Sequence, residues 1–359
     1  MLAQTQKSLD PALEAKFQLV LATIKSYPAQ VSQAWDEVSA ISLPDEFKNV
    51  QNVIVSGMGG SALGARVVDS LAFDRLRVPL EIFTEYSLPN YANENTLVVV
   101  SSYSGNTEET LTSCYNALSK KCKVFGITTG GKLAEILEKE NLPRYVFDPK
   151  NNPSKQPRMA IGYATCALLA LLSKMGLVSV DKAEIGEAIS KMQEVISDCD
   201  EDKIVPGNLA KSYAKKIYGK IPVLVASEHL LGAAFTIKNT LNESSKTFAC
   251  LFDLPEANHH LMEGLRNPTD NKKLLYFVFF NSNLYSESVK KRYPLTAEVV
   301  GKNGVEYSIY SPFSDKKISQ IFSVLAFGSL IAYYLTKEYA LDPLEIPWVD
   351  YFKSKLSEF

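Results

Sequence analysis

The sequence predicts an α/β fold built twice over, two parallel sheets in tandem with helices on both faces of each. Three observations predict it. At roughly 150 residues per domain, a chain of 359 residues makes about two domains, each long enough to bury a core. Short β-branched runs alternate with helical patterns along most of the chain, as crossover connections require. Two glycine- and hydroxyl-rich stretches fall where a strand hands over to a helix, the point at which backbone N–H groups can approach an anion.

Taken in order, residues 9–41 read as two amphipathic helices parting near Pro28, with Leu13, Phe17, Val20, Leu21 and Ile24 at helical spacing. A β-branched strand follows at 52–55, a helix at 61–71 and an extended run at 80–84. Residues 96–101 form a valine-rich strand, 108–118 a helix and 123–128 the next strand. A helix at 132–138 and a strand at 144–147 complete the first round. The segment 181–196 reads as a charged linker helix, so the first domain spans 1–180 and the second 181–359. In the second domain, strands are expected at 222–226, 247–254, 274–280 and 306–311. Its helices are expected at 229–239, 318–335 and 349–356.

Composition excludes several function classes. The 38 basic and 40 acidic residues leave a formal charge of -2, which gives no global pull toward nucleic acid. The clusters Lys120-Lys121-Cys122-Lys123 and Lys290-Lys291-Arg292 are short enough to be solvated faces. Cys114, Cys122, Cys166, Cys199 and Cys250 are dispersed, which fits reduced thiols in a cytoplasmic protein. The opening MLAQTQKSLDPALEAKF has no basic-then-apolar signal pattern. The apolar stretches 160–172 and 322–335 are too short for membrane spans and read as core helices. Three histidines, His229, His259 and His260, do not make a multi-histidine metal site, so no metal is expected.

The first strand runs into Gly57-Met58-Gly59-Gly60-Ser61-Ala62-Leu63-Gly64. One reading is a loose dinucleotide fingerprint, with Glu81 or Glu85 as ribose ligand. Another is a phosphate cradle, and a third is a tight structural turn. The valine-rich strand ends in Ser101-Ser102-Tyr103-Ser104-Gly105-Asn106-Thr107-Glu108-Glu109-Thr110. There Ser102, Ser104 and Thr107 present three hydroxyls at a helix start. A phosphate monoester gains several hydrogen bonds from them and a dinucleotide gains little. Thr107 also fits a plain N-cap.

Together GMGGSALG and SSYSGNTEET resemble the sugar-isomerase (SIS) domain, in the form found in bifunctional phosphoglucose/phosphomannose isomerases. The resemblance continues through Gln156-Pro157-Arg158-Met159-Ala160, Leu241-Asn242-Glu243-Ser244, the run Pro255 to Gly264 and the tail Trp348-Val349-Asp350-Tyr351-Phe352-Lys353. It implies two SIS-type, flavodoxin-like domains. It also implies a sugar phosphate held by Gly59, Gly60, Ser61, Ser102, Ser104 and Thr107. By the same resemblance, Arg158 is the catalytic arginine, Glu243 the base, His259 the ring-opening histidine and Lys353 the C-terminal lysine. His260 stands where the family commonly has Asn.

The chemistry asks for these residue types independently. Moving a carbonyl between C1 and C2 needs one carboxylate to carry a proton through a cis-enediol, and a guanidinium to stabilise the enediolate. Ring opening suits His with Lys. No cofactor is required. The expected function is therefore interconversion of glucose 6-phosphate, and mannose 6-phosphate as well, with fructose 6-phosphate. Epimer tolerance would be set by pocket shape, for which the loop 342–347 is the candidate. The expected partners are the phosphosugar and a second copy of the chain, because the resembling family takes its histidine from the neighbouring subunit. The rivals are an isomerase of another phosphosugar and a noncatalytic phosphosugar sensor. A sensor would have no use for Arg158 and Glu243, and residues 1–45 lack a basic recognition helix. A start at MLAQ, with no cysteine after the initiator, disfavours a glutamine-dependent amidotransferase.

Overall fold

The computed structural model describes residues 10–356 and 358. The expectations for residues 1–9 lie outside the described residues. The chain opens on α1 (Pro11–Lys25) and α2 (Tyr27–Ala40), each with proline in its first turn, where a missing N–H costs nothing. The first sheet holds β1 (Asn52–Gly57), β2 (Leu80–Phe83), β3 (Thr96–Ser102), β4 (Lys123–Thr128) and β5 (Arg144–Val146). All are parallel, in the order β2-β1-β3-β4-β5. Its connections include α3 (Gly60–Ala72), α4 (Glu108–Ser119) and α5 (Gly131–Lys139). Every residue of β3 is buried, which is why TLVVVSS shows no polar alternation. Strand order reverses between β1 and β3, so the carboxyl ends of these two strands flank the crevice where such sheets bind ligands.

Two helices follow, α6 (Ile161–Lys174) and α7 (Lys182–Asp198). The segment expected as a charged linker is in fact packed. Ile185, Ala188, Met192 and Ile196 of α7 are buried, and Asp181 caps the helix by accepting from the Glu184 N–H. The second half brings α8 (Leu209–Ile217), β6 (Ile221–Ala226), α9 (Leu231–Glu243), β7 (Cys250–Asp253), α10 (Leu261–Gly264) and α11 (Asn271–Leu274). After these come β8 (Leu275–Phe280), α12 (Glu287–Lys302), β9 (Glu306–Tyr310), α13 (Lys317–Glu338) and α14 (Pro347–Leu356). Its four strands are parallel in the order β7-β6-β8-β9.

Three elements differ from expectation for identifiable reasons. Helix α12 carries Pro294 in its interior, a residue that normally argues against a helix. Helix α8 is short and lysine-rich, and is anchored by Asn208, whose side chain accepts from the Lys211 N–H. Strand β7 begins only at Cys250, because the Thr247 N–H is bonded to the Leu241 carbonyl and its hydroxyl to Ser245.

Helix α13 is long and apolar enough to cross a membrane, yet its apolar stretch is wholly buried in the protein, against α1, α7, α8 and α9. One continuous core runs from Phe17 of α1 through both sheets to Leu335 of α13. The halves approach closely where α3 meets α9. A Cβ on Gly232 would stand 2.1 Å from the Arg66 carbonyl oxygen, so only glycine fits there.

Gly232→Ala should therefore lower unfolding free energy by about 1–3 kcal/mol in urea titration, as forced overpacking does. Gly186→Ala in α7 meets nothing within 4 Å and should instead stabilise by about 0.5–1 kcal/mol. Equal stabilities for the two variants would show that α3 and α9 have slack.

Candidate active site

The two loops at the carboxyl ends of β1 and β3 are stitched to each other. A Cβ on Gly57 would stand 2.8 Å from the Ser101 carbonyl, so the strands close tightly at this point. The Ser101 hydroxyl donates to the Ser61 carbonyl at 3.2 Å, and the Tyr103 N–H donates to Ser61 Oγ at 3.0 Å. Gly59, at φ 49°, turns the chain into α3, a conformation costly for any residue with a Cβ. The second loop turns on Gly105, at φ 69°, whose missing Cβ would otherwise overlap the Gly130 carbonyl at 1.8 Å.

The hydroxyl cluster is real. Ser102 is buried and pairs with Thr107 Oγ1 at 2.9 Å, and Ser102 Oγ also accepts from the Gly105 N–H. Ser104 is exposed and accepts from the Asn106 N–H. Thr107 occupies the N-cap position of α4, but its side chain makes no cap bond. The hydroxyl is turned to Ser102 instead, so the plain N-cap reading accounts for the residue's position and not for its side chain. Backbone N–H groups and the positive end of α4 favour an anion here.

Gly60 joins this cradle to the arginine. A Cβ there would stand 2.8 Å from the Pro157 carbonyl and 3.0 Å from the Arg158 Cα, so the start of α3 lies directly on the 3-10 turn Pro157–Met159. Arg158 is 4% exposed, and all five of its N–H donors are used. Nε donates to Ser244 Oγ at 3.2 Å. Nη1 donates to Gln156 Oε1 at 2.8 Å and to Glu243 Oε1 at 3.2 Å. Nη2 donates to the carbonyls of Pro343 at 2.8 Å and Leu344 at 3.2 Å. Burial pulls its pKa down, and the Glu243 carboxylate opposes that shift. Glu243 closes α9 with its side chain about one-third exposed, so one end of the pair faces solvent.

The structure thus brings Arg158, Glu243 and the cradle around Gly59, Gly60, Ser61, Ser102, Ser104 and Thr107 to one end of the first sheet. It leaves two expected residues outside. His259 is exposed on the 3-10 turn Glu256–His259, and neither it nor His260 contacts Arg158 or Glu243 among the described residues. Lys353 is exposed on α14, a helix that buries none of its residues. Sequence reasoning missed Lys246, which donates to the carbonyls of Ser244 at 2.9 Å and Asp342 at 2.6 Å. It also missed the carbonyls of Pro343 and Leu344 as arginine acceptors. Backbone acceptors leave no trace in a sequence, although Lys246 stands only three residues past Glu243. Among the described residues, no group of three or more His, Cys, Asp or Glu side chains is placed to hold a metal ion.

His229 behaves as a structural residue. It is buried, with Nε2 3.0 Å from Gln320 Oε1 and 3.4 Å from Ser282 Oγ.

Two tandem parallel sheets, with the hydroxyl-rich loops of β1 and β3 beside a buried Arg–Glu pair, define an α/β protein whose candidate site lies at the switch point of the first sheet. Residues 207–356 match the family described as bacterial phospho-glucose isomerase C-terminal SIS domain. The bifunctional phosphoglucose/phosphomannose isomerase of Caldicellulosiruptor bescii is 30% identical over 343 residues, covering 94% of this chain and 98% of that one. The fold is shared with a hypothetical protein of Thermus thermophilus, at TM-score 0.74 and 17% identity, over 97% of this chain and 94% of that one. It is shared too with tagatose-6-phosphate ketose/aldose isomerase of Escherichia coli, at TM-score 0.67 and 15% identity, over 96% and 100% of the two chains. The chain belongs to the bifunctional phosphoglucose/phosphomannose isomerase family.

Burial drives the His229 pKa down to about 4, so the unfolded chain, with an ordinary histidine, binds the extra proton between about pH 4 and 6.5. Stability should be fully present above that window and fall as pH drops through it. In urea titrations over pH 4–7, His229→Gln should show a shallower acid-side loss than wild type. Parallel curves would mean that His229 is not held neutral.

Proposed function

We propose that the chain is an aldose–ketose isomerase that interconverts glucose 6-phosphate, and mannose 6-phosphate as well, with fructose 6-phosphate. The observation that carries this reading is the Arg158–Glu243 pair at 3.2 Å, held against the phosphate cradle by the contact at Gly60. In this reading Gly59, Gly60, Ser61, Ser102, Ser104 and Thr107 hold the 6-phosphate, bound alike in ground and transition states. The Glu243 carboxylate takes the proton from C2 of the open-chain aldose and returns it to C1. The O1 and O2 oxygens carry the developing charge. Arg158 stabilises it by exchanging an existing acceptor for the enediolate, with no proton lost from the guanidinium. His259 and Lys353 serve ring opening, moving protons at the ring oxygen and the anomeric hydroxyl. The reaction needs no oxidant and no cofactor. A cytoplasmic location, in keeping with its five free cysteines, belongs to the same reading. So does a division at 180/181, although α1 reaches across it to pack on α13.

A homodimer completes the proposal, each chain lending His259 to its neighbour's site. Two features support it. His259 is exposed, and among the described residues it forms no ion pair with Glu243. Helix α14 also shows Trp348 81%, Tyr351 58% and Phe352 63% exposed, an apolar face that no described part of its own chain covers.

In a coupled assay with glucose 6-phosphate, Glu243→Gln should cut turnover by roughly 10²–10⁴, the share of a general base. The amide oxygen can still accept from Arg158, so folding and substrate binding should persist. Turnover within a few-fold of wild type would remove Glu243 from the mechanism.

Mixing Glu243→Gln with His259→Ala protein, each inactive alone, should restore part of the activity once subunits exchange, because one site per heterodimer is intact. Heterodimers seen by mass analysis without returned activity would refute the shared site.

A further inference from the structure

We propose that Lys246 is a positioning residue for this isomerase, tying the linker 342–346 to the segment that carries Glu243 and so fixing where Arg158 and α14 sit. The proposal rests on the isomerase reading above. The linker leads directly into α14, and α14 buries none of its residues in its own chain, so its placement depends on how the linker is held. Several contacts hold it. Lys246 Nζ joins the Ser244 carbonyl at 2.9 Å to the Asp342 carbonyl at 2.6 Å. The Asp342 carboxylate accepts from the Leu344 and Glu345 N–H groups and is paired with Lys16 of α1. Arg158 Nη2 takes the next two carbonyls, of Pro343 and Leu344.

Lys246 bridges the linker directly to the segment just past Glu243. Its backbone, at φ 51°, is in the left-handed region, which costs on the order of 1 kcal/mol or more for a non-glycine residue. That turn lets one ammonium group reach carbonyls on two segments. The ammonium lies close enough to Arg158 for burial and the guanidinium to push its pKa down, against the pull of Asp342, Glu345 and Glu243. Two cations are held together for the sake of this bridge. If it were cut, the linker would lose its one direct tie to the segment just past Glu243 and be held by Arg158 and by Lys16 at Asp342. If the linker shifted, Arg158 would then lose two acceptors in a buried setting, where unmet donors are costly. Its drift would misplace the guanidinium relative to C1 and C2 while leaving the phosphate cradle on the other side of Gly60 untouched.

The test compares wild type, Lys246→Met and Lys246→Arg by steady-state kinetics with glucose 6-phosphate and by hydrogen exchange of the 342–346 amides. Lys246→Met should lower kcat by roughly 10- to 100-fold, as small misplacements do, with KM for the phosphosugar within about threefold. Exchange in 342–346 should quicken at least severalfold, while exchange in β1 and β3 is unchanged. Lys246→Arg, which can still donate to both carbonyls, should restore both readouts. Wild-type kcat or wild-type linker exchange in Lys246→Met would overturn the proposal, as would failure of arginine to rescue. Should Lys246→Met not fold, Lys246→Gln replaces it under the same criteria. A wild-type protein without isomerase activity would sink the isomerase reading instead, and linker exchange would still decide whether Lys246 is the tether.

Discussion

A guanidinium buried to 4% exposure is tolerable only if every donor is met, and Arg158 meets this condition with acceptors from its own turn and from two distant stretches of chain. Gln156 comes from its own turn, Glu243 and Ser244 from the end of α9, and Pro343 and Leu344 from the linker ahead of α14. Much of the architecture follows from this meeting. The end of α9 can reach Arg158 because α9 lies against α3, with Gly232 allowing the close approach to Arg66. The start of α3 lies on the arginine's own turn because residue 60 is glycine. The core helix α13 then delivers the linker from the far side.

The same saturation constrains the chemistry. With all five donors taken, an oxyanion can be stabilised by Arg158 only in exchange for an existing acceptor. The linker carbonyls and Ser244 are buried or tethered, whereas the Glu243 side chain is about one-third exposed. In the proposed mechanism, exchange at Nη1 is therefore the least costly, and it would free the Glu243 carboxylate to act as the base. Pairing in the resting state also keeps the buried guanidinium compensated between turnovers. The loops after β1 and β3 are preset in a similar way, Ser102 against Thr107 and Ser61 against Tyr103, which fixes the positions of these hydroxyls.

Much of this was legible in the sequence, for reasons that can be named. Buried parallel strands such as TLVVVSS announce themselves by composition, and the glycines of GMGGS mark backbone that must approach other backbone. The parallel, helix-flanked sheet follows from the alternation of strands and helices, whereas its flavodoxin-like strand order was implied only by the family resemblance. What escaped was of another kind. Pro294 disguised α12, and the apolar face of α8, Ala210, Tyr213, Ala214 and Ile217, is carried on only nine residues and interspersed with lysines. The linker's grip on Arg158 uses main-chain carbonyls, which every residue possesses. The extent of burial of α7 could not be read from its charge, because its apolar side is narrow: four buried residues in 17. His259 and Lys353 were legible as residue types, but the exposure of each follows from the three-dimensional arrangement and leaves no mark in the sequence.

The second sheet repeats the architecture of the first with different side chains at its switch point. Strand order reverses between β6 and β8, which gives a second crevice with the start of α12 in the place that α4 holds in the first half. In the first half that place offers hydroxyls and open N–H groups. In the second, the Glu228 carboxylate already fills it, accepting from the Ser286 N–H at 3.0 and 3.2 Å through its two oxygens. Glu228 sits at φ 43°, a strained conformation that is offset by this contact with the helix start. Behind it, His229, Ser282 and Gln320 form a buried polar network. The second half thus places a carboxylate at this helix start where the first half places hydroxyls. Its contribution is made at the opposite end of α9, where Glu243, Ser244 and Lys246 are presented to the first half's site.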